Sequence, residues 1–108
     1  MGGRQDASLS SIVITPRARR DITSIWRYIA ENSIRHADLV EDAIVRTCLS
    51  LGQMTEIGHV RPDLTNRKIL FVAVQDYDRY TVAYSAATDV VRILRVLHGA
   101  RDVPRLFR

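Results

Sequence analysis

The residues best suited to chemistry lie near the C-terminus, where basic groups recur every three positions. Arg92, Arg95, His98 and Arg101 follow at this spacing, and Asp102 comes next. Guanidinium groups bind carboxylates and phosphates through paired hydrogen bonds, and a histidine can transfer a proton near neutral pH. Positions 92–108 contain five arginines and a single acid, a balance that attracts an acidic protein segment or a nucleic acid.

Most of these groups belong to residues 90–98, an apolar run that its arginines interrupt. Its β-branched residues and the glycine that follows predict a central strand. Unless a bulge intervenes, Arg92 and Arg95 point to opposite faces, one beside the helices and one on an open face where a partner carboxylate can engage it. His98 has no Glu or Cys partner near it in sequence, which favours a structural role. Arg101 and Asp102 either pair with each other or cap the end of the sheet.

The N-terminal half predicts a short strand followed by two helices. Residues 11–14 read as a strand, Thr15 is a suitable N-cap, and Pro16 fits the first helical position. Apolar residues spaced by three and four continue this helix to about Glu31, and Ser33 can cap a second helix. The short connection between the two helices predicts an antiparallel hairpin.

Three strands follow a loop at residues 56–67, and they span residues 68–74, 79–86 and 90–98. Their short connections require antiparallel pairing. The order β-α-α-β-β-β therefore predicts an α+β fold in which a helical hairpin packs on an antiparallel sheet. Because both faces of the sheet are substantially apolar, we expect the second face to be an open concavity that receives a partner.

Length and composition limit the other possibilities. The 108 residues suffice for one domain, expected over residues 11–108 after a flexible lead-in at 1–10. No apolar run reaches the roughly 20 residues of a membrane helix, and no secretory leader is apparent. One cysteine fits a reducing cytoplasm. We expect no metal and no cofactor, because His36 and His59 lack ligand spacing and no Gly-rich phosphate loop occurs.

Three segments together resemble one family. They are residues 21–30 of the first helix, the loop at 58–64, and residues 93–102, which end in His-Gly-Ala-Arg-Asp. They resemble the RelE/ParE toxin superfamily, and within it the ParE branch. This resemblance implies a bacterial type II toxin that is bound and inactivated by a cognate, ParD-like antitoxin through its C-terminal segment. It also implies that the toxin inhibits DNA gyrase and blocks replication.

We therefore expect a hetero-oligomer with an antitoxin whose C-terminal segment is acidic. The residues expected to contact the antitoxin or the target are Arg61, Arg67, Tyr84, Arg92, Arg95, His98 and Arg101.

Two other functions remain open. A RelE-like mRNA endonuclease needs a base, an acid and cations that converge on one phosphodiester. His98, Arg61 and Arg95 are the residues that could meet for this purpose. Lys68 is the only lysine and no tyrosine follows Tyr84, so we favour a protein that is not an enzyme. The third possibility is a non-toxic binding module of the same fold.

Overall fold

The structure, a computed structural model, describes residues 11–55, 57–62, 68–87 and 89–106, leaving aside the side chains at 87, 103, 104 and 106. The expected lead-in at 1–10 and Arg67 lie outside the described residues. In chain order, the elements are β1 (Ser11–Ile14), α1 (Pro16–Ala30), α2 (Ile34–Ser50), β2 (His59–Val60), β3 (Leu70–Ala73), β4 (Tyr80–Ala87), β5 (Val90–His98) and α3 (Gly99–Leu106).

Both helices of the hairpin begin at the predicted caps. The hydroxyl of Thr15 accepts a hydrogen bond from the Ala18 N–H at 3.2 Å, and Pro16 takes the first position of α1. The hydroxyl of Ser33 accepts from the His36 N–H at 3.0 Å at the start of α2. These bonds satisfy backbone donors that have no partner within the helix, which fixes where each helix begins.

The sheet has the strand order β1-β5-β4-β3-β2, so β5 lies in its interior as predicted. Strands β3, β4 and β5 are antiparallel, and the predicted α+β class is confirmed. One detail differs, because β1 runs parallel to β5, with Ser11 opposite Val90. The helical hairpin carries the chain away from β1, and the later strands then return so that β5 runs beside β1 in the same direction. The sheet is therefore mixed, and β2 extends its other edge.

The main core lies between the helical hairpin and one face of the sheet. Ile22 of α1 and Ile44 of α2 pack there against Tyr84 and Ile93 from the central strands. A smaller cluster of Ile69, Phe71, Ala83 and Leu97 forms a separate core, and each of these residues is at most 6% exposed. Alternation along β4 places Ala83 on the face opposite Tyr84.

The prediction of an open concavity is therefore wrong for this part of the second face. Its apolar side chains are already buried within the chain. The remaining exposed positions on this face include Val13 and Arg92, which lie opposite each other in the β1–β5 register.

Within the described part of the chain, no helix combines the length and the apolar character that a bilayer crossing requires.

Candidate functional site

A groove of about 610 Å³ opens at one end of the molecule, between α1, the last residues of β5 and α3. This volume lies in the range of ligand-binding clefts. The charged residues that line it are Arg17, Asp21, Arg95, Arg101, Asp102 and Arg105.

The groove exists because β1 is shorter than the strand beside it. β1 ends at Ile14, opposite Ile93, and the chain then turns at Thr15 into α1. The Thr15 N–H and hydroxyl both donate to the Ile93 carbonyl, at 3.2 and 2.8 Å, which fixes this turn against β5. The last residues of β5 consequently have no strand on that side, and their free edge lies against the groove.

The carboxylate of Asp21 takes the place of the missing strand. It accepts a hydrogen bond from the Val96 N–H at 3.0 Å, and it accepts two more from the Arg95 guanidinium at 2.7 and 3.1 Å. The side chains of Asp21 and Arg95 are only 12% and 17% exposed. Charge-assisted bonds with this paired geometry are among the strongest in proteins. Asp21 therefore joins α1 to the free edge of β5.

An irregularity in β5 accompanies this arrangement. Ile93 lies opposite Tyr84 and Arg95 lies opposite Ala83, so Leu94 has no partner residue on β4. As in a β-bulge, the extra residue shifts the alternation of side chains. Ile93 and Val96 both reach the main core although three positions separate them.

The two strand arginines have different surroundings. Arg95 contacts α1 through Asp21, whereas Arg92 is exposed and has no ion pair among the described residues. Val91 and Ile93 point into the main core, so alternation places Arg92 on the opposite face of the sheet. The predicted opposition of the two arginines is wrong, because the bulge intervenes: Arg92 lies opposite Ser85 and Arg95 opposite Ala83, so the register places both on the second face of the sheet. Only the Arg95 guanidinium contacts α1, through its bonds to Asp21.

A second carboxylate caps the end of β5. Asp102 accepts a hydrogen bond from the His98 N–H at 3.3 Å and two from the Arg101 guanidinium at 2.8 and 3.1 Å. The Arg101 hydrogen bond lowers the pKa of Asp102 below its usual value, although partial burial opposes this, and the same bond raises the pKa of Arg101. Asp102 thus does both things that the sequence offered as alternatives: it pairs with Arg101 and caps the sheet.

Residues 99–106, which the sequence analysis did not assign to a helix, form α3. His98 connects this helix to the strand. Its Nδ1 accepts from the Arg101 N–H at 3.3 Å, and its ring packs edge-to-face on Tyr80 with centroids 6.0 Å apart. Both contacts support the structural role that the sequence favoured for His98.

The prediction that Tyr84 contacts a partner is wrong, because this residue is completely buried and offers no surface to a partner. Its hydroxyl donates to the Thr55 carbonyl at 2.8 Å and accepts from the Gly58 N–H at 2.9 Å. Burial raises the pKa of Tyr84, and the Gly58 bond lowers it by a smaller amount. A β-carbon on Gly58 would lie 2.5 Å from the Tyr84 hydroxyl, so only glycine fits there without a shift. Tyr84 holds this loop in place.

Of the two predicted loop arginines, Arg61 does not line the groove. Arg61 follows β2 at the opposite edge of the sheet, with β3 and β4 between β2 and β5. Three interstrand spacings place these backbones about 14 Å apart. Arg67 lies outside the described residues. Of the predicted site residues, the groove contains Arg95, His98 and Arg101.

The groove residues that the predicted site did not include are, among others, Arg17, Asp21 and Tyr28. For Asp21 a signal was present, because this acid lies three residues after Ala18 and four before Ile25, within the apolar stripe of α1. A charged residue in such a stripe needs a partner.

The described residues contain no group of three or more His, Cys, Asp or Glu side chains that could hold a metal ion. The thiol of Cys48 is buried in the core, and burial raises its pKa to about 11. It is therefore protonated and unreactive at neutral pH.

These elements define a small α+β protein with a helical hairpin on a five-stranded mixed sheet. A solved structure described as the chromosomal ParDE TA system from P. aeruginosa has the same fold. The TM-score is 0.70 at 18% identity, and the match covers 84% of this chain and 97% of that chain.

The family follows from the sequence comparisons. Residues 12–103 match the family described as ParE toxin of type II toxin-antitoxin system, parDE, and the chain belongs to that family. It is also 30% identical over 91 residues to Toxin RelE3 of Caulobacter vibrioides, covering 84% of this chain and 96% of that protein. The resemblance inferred from the sequence is thus confirmed, and the chain is a type II toxin-antitoxin toxin of the ParE/RelE group.

Proposed function

We propose that the chain is a cytoplasmic toxin that acts by binding other proteins and not by catalysis. A cognate, ParD-like antitoxin with an acidic C-terminal segment neutralises it, and the free toxin inhibits DNA gyrase. Membership of the ParE toxin family supports this proposal.

One observation favours binding over RNA cleavage, namely that the three candidate catalytic side chains do not converge on one point, although Arg95 and His98 line the same groove. The Arg95 guanidinium is engaged by Asp21, and His98 uses Nδ1 to accept from the backbone of α3. Arg61 lies at the far edge of the sheet. Cleavage through the ribose 2′-OH needs a base, an acid and cations around one phosphate. These residues do not provide that arrangement, whereas the cationic groove suits recognition of carboxylates.

A second candidate function is mRNA cleavage. It is supported by the position of His98 in the same groove as Arg101 and Arg105, and by the 30% identity to Toxin RelE3. A histidine beside cations is compatible with acid–base work on a phosphodiester.

A supercoiling assay tests the choice. Purified toxin is added to DNA gyrase with relaxed plasmid and ATP, and we expect supercoiling to fall in a dose-dependent way and to recover when antitoxin is added. Primer extension on mRNA from cells that express the toxin provides the parallel measurement. Unaffected gyrase together with site-specific mRNA cuts would establish the nuclease instead. If expression is harmless and both assays are negative, the chain is a binding module without toxicity.

A further inference from the structure

The groove keeps positive charge after its internal ion pairs are formed. Asp21 and Asp102 are each bonded by an arginine, Arg95 and Arg101 respectively. The Arg105 side chain is exposed and has no acidic partner among the described residues. Arg17 is also exposed, with its Nε 3.9 Å from an Asp21 oxygen that Arg95 already contacts. A guanidinium has five N–H donors, and Asp102 takes only two from Arg101. The groove can therefore bind further anions.

An exposed aromatic ring stands beside these cations. Tyr28 of α1 is 69% exposed and lines the groove. Together with Tyr80, it also lines an adjoining depression of about 390 Å³ that contains His36, Tyr77 and Arg79. The two depressions thus form one continuous surface with a tyrosine at their junction. Such a ring provides a rigid apolar platform for a partner side chain.

The free edge of β5 is poorly suited to pairing with an added strand. Edge strands bind extended peptides through unpaired backbone groups. Here the Val96 N–H is bonded to Asp21 and the His98 N–H is bonded to Asp102. An occupant therefore finds these two backbone donors already used, which favours recognition through its side chains.

The chemistry of the groove favours carboxylates as the ligands. Both of its aspartates are bound side-on by a guanidinium through two hydrogen bonds, which shows the geometry that these arginines adopt with a carboxylate.

We propose that this groove is the docking site for an acidic segment of the antitoxin. The segment places its carboxylates on Arg17, Arg101 and Arg105 and an apolar side chain on Tyr28, without adding a strand to β5. This assignment rests on the proposed function, in which an antitoxin binds this chain.

The test uses the antitoxin encoded beside the toxin gene and measures its affinity for toxin variants by titration calorimetry. Arg17→Glu reverses one charge in the groove, and we expect about tenfold weaker binding, because like charges across an interface repel. Adding Arg105→Glu should weaken binding to about a hundredfold in total. Tyr28→Ala should cost about tenfold, while Tyr28→Phe should bind like the wild type because the ring remains.

Arg35→Glu is the matched control. Arg17 and Arg35 are both exposed and each occupies the second position of its helix, so the two substitutions change net charge and helix dipole alike. They differ in one respect, because Arg17 lies 3.9 Å from Asp21 and a glutamate there places a like charge beside that carboxylate. A glutamate there is compatible with the fold, because acidic residues stabilise the first turn of a helix. We expect Arg35→Glu to leave antitoxin affinity unchanged.

The outcomes separate the two proposals. If wild-type toxin does not bind the antitoxin, the proposed neutralisation is wrong. If the wild type binds and the Arg17→Glu/Arg105→Glu variant binds equally well, only the groove assignment is overturned. The remaining measurement tests for nucleic acid binding. Toxin is added to a labelled oligouridylate, and binding is followed by fluorescence anisotropy. Oligouridylate binding that Arg17→Glu removes, with antitoxin affinity unchanged, would reassign the groove to nucleic acid.

Discussion

Two aspartate–arginine pairs lie along the same free edge of β5, and their surroundings differ. Asp21 and Arg95 are 12% and 17% exposed, and they connect α1 to the strand. Asp102 and Arg101 are 28% and 61% exposed, and they are neighbours in sequence. Each carboxylate also accepts one backbone N–H of the strand. The chemistry of the two pairs is therefore the same, and only burial and connectivity distinguish them.

This comparison shows how one type of contact serves two purposes. A buried pair depends on every partner, because removing one leaves a desolvated charge behind. An exposed pair is screened by water and salt and contributes little to stability. We therefore assign Asp21–Arg95 to the support of the groove wall, and we propose that the exposed Arg101 serves recognition.

Asp21→Ala should have the largest effect. It leaves the Arg95 guanidinium and the Val96 N–H without their partner, and we expect the free energy of unfolding to fall by about 3 kcal/mol. Urea denaturation followed by circular dichroism measures this. Asp42→Ala breaks the exposed Asp42–Arg46 pair of α2 and is the control, with an expected loss below about 0.5 kcal/mol. Equal losses for the two variants would contradict the distinction between buried and exposed pairs.

Tyr84→Phe gives an intermediate reference, since it removes a buried neutral hydroxyl. The Gly58 N–H and the Thr55 carbonyl lose their partner, and we expect a loss of about 1 to 2 kcal/mol. Hydrogen exchange should also show a faster Gly58 amide. A loss larger than that of Asp21→Ala would mean that the loop, and not the charged link, is the more important constraint.

Asp102→Asn should have the smallest effect on stability, and that effect should depend on pH. The pKa of Asp102 is lowered in the folded state, so the folded protein binds this proton less readily than the unfolded chain. The stabilisation that ionised Asp102 provides is present above its unfolded-state pKa of about 3.9, and it is lost as the pH falls through the lower folded-state pKa. The difference in Tm between wild type and Asp102→Asn should therefore shrink below about pH 4. A difference that stays constant in acid would exclude this ionised pair as its cause.

The local features of the fold could be predicted from the sequence. Thr15 and Ser33 each bond an N–H three residues ahead, so their effect depends only on nearby residues. The strand at 90–98 was visible in its β-branched residues and terminal glycine. Helix α3 was not predicted from the sequence, because Gly99 and Pro104 lie within it and these residue types usually interrupt helices.

The groove could be predicted only in part. His98 and Arg101 are brought to it by the end of a strand that the sequence identified. The link from Asp21 to Arg95 requires β1 to lie parallel to β5 and to end before it, and no local pattern encodes either condition. For the same reason, the sequence could not show that Arg95 is engaged within the chain while Arg17 remains exposed.

The interior position of β5 has a consequence for synthesis. Ser11 of β1 pairs with Val90, so among the described strands the first in the chain has its sheet partner in the last. A chain that stops before Val90 has neither a neighbour for β1 nor the strand that carries Asp21's partners. Contacts so distant in sequence form late. The groove therefore cannot assemble before β5 and α3 have been synthesised.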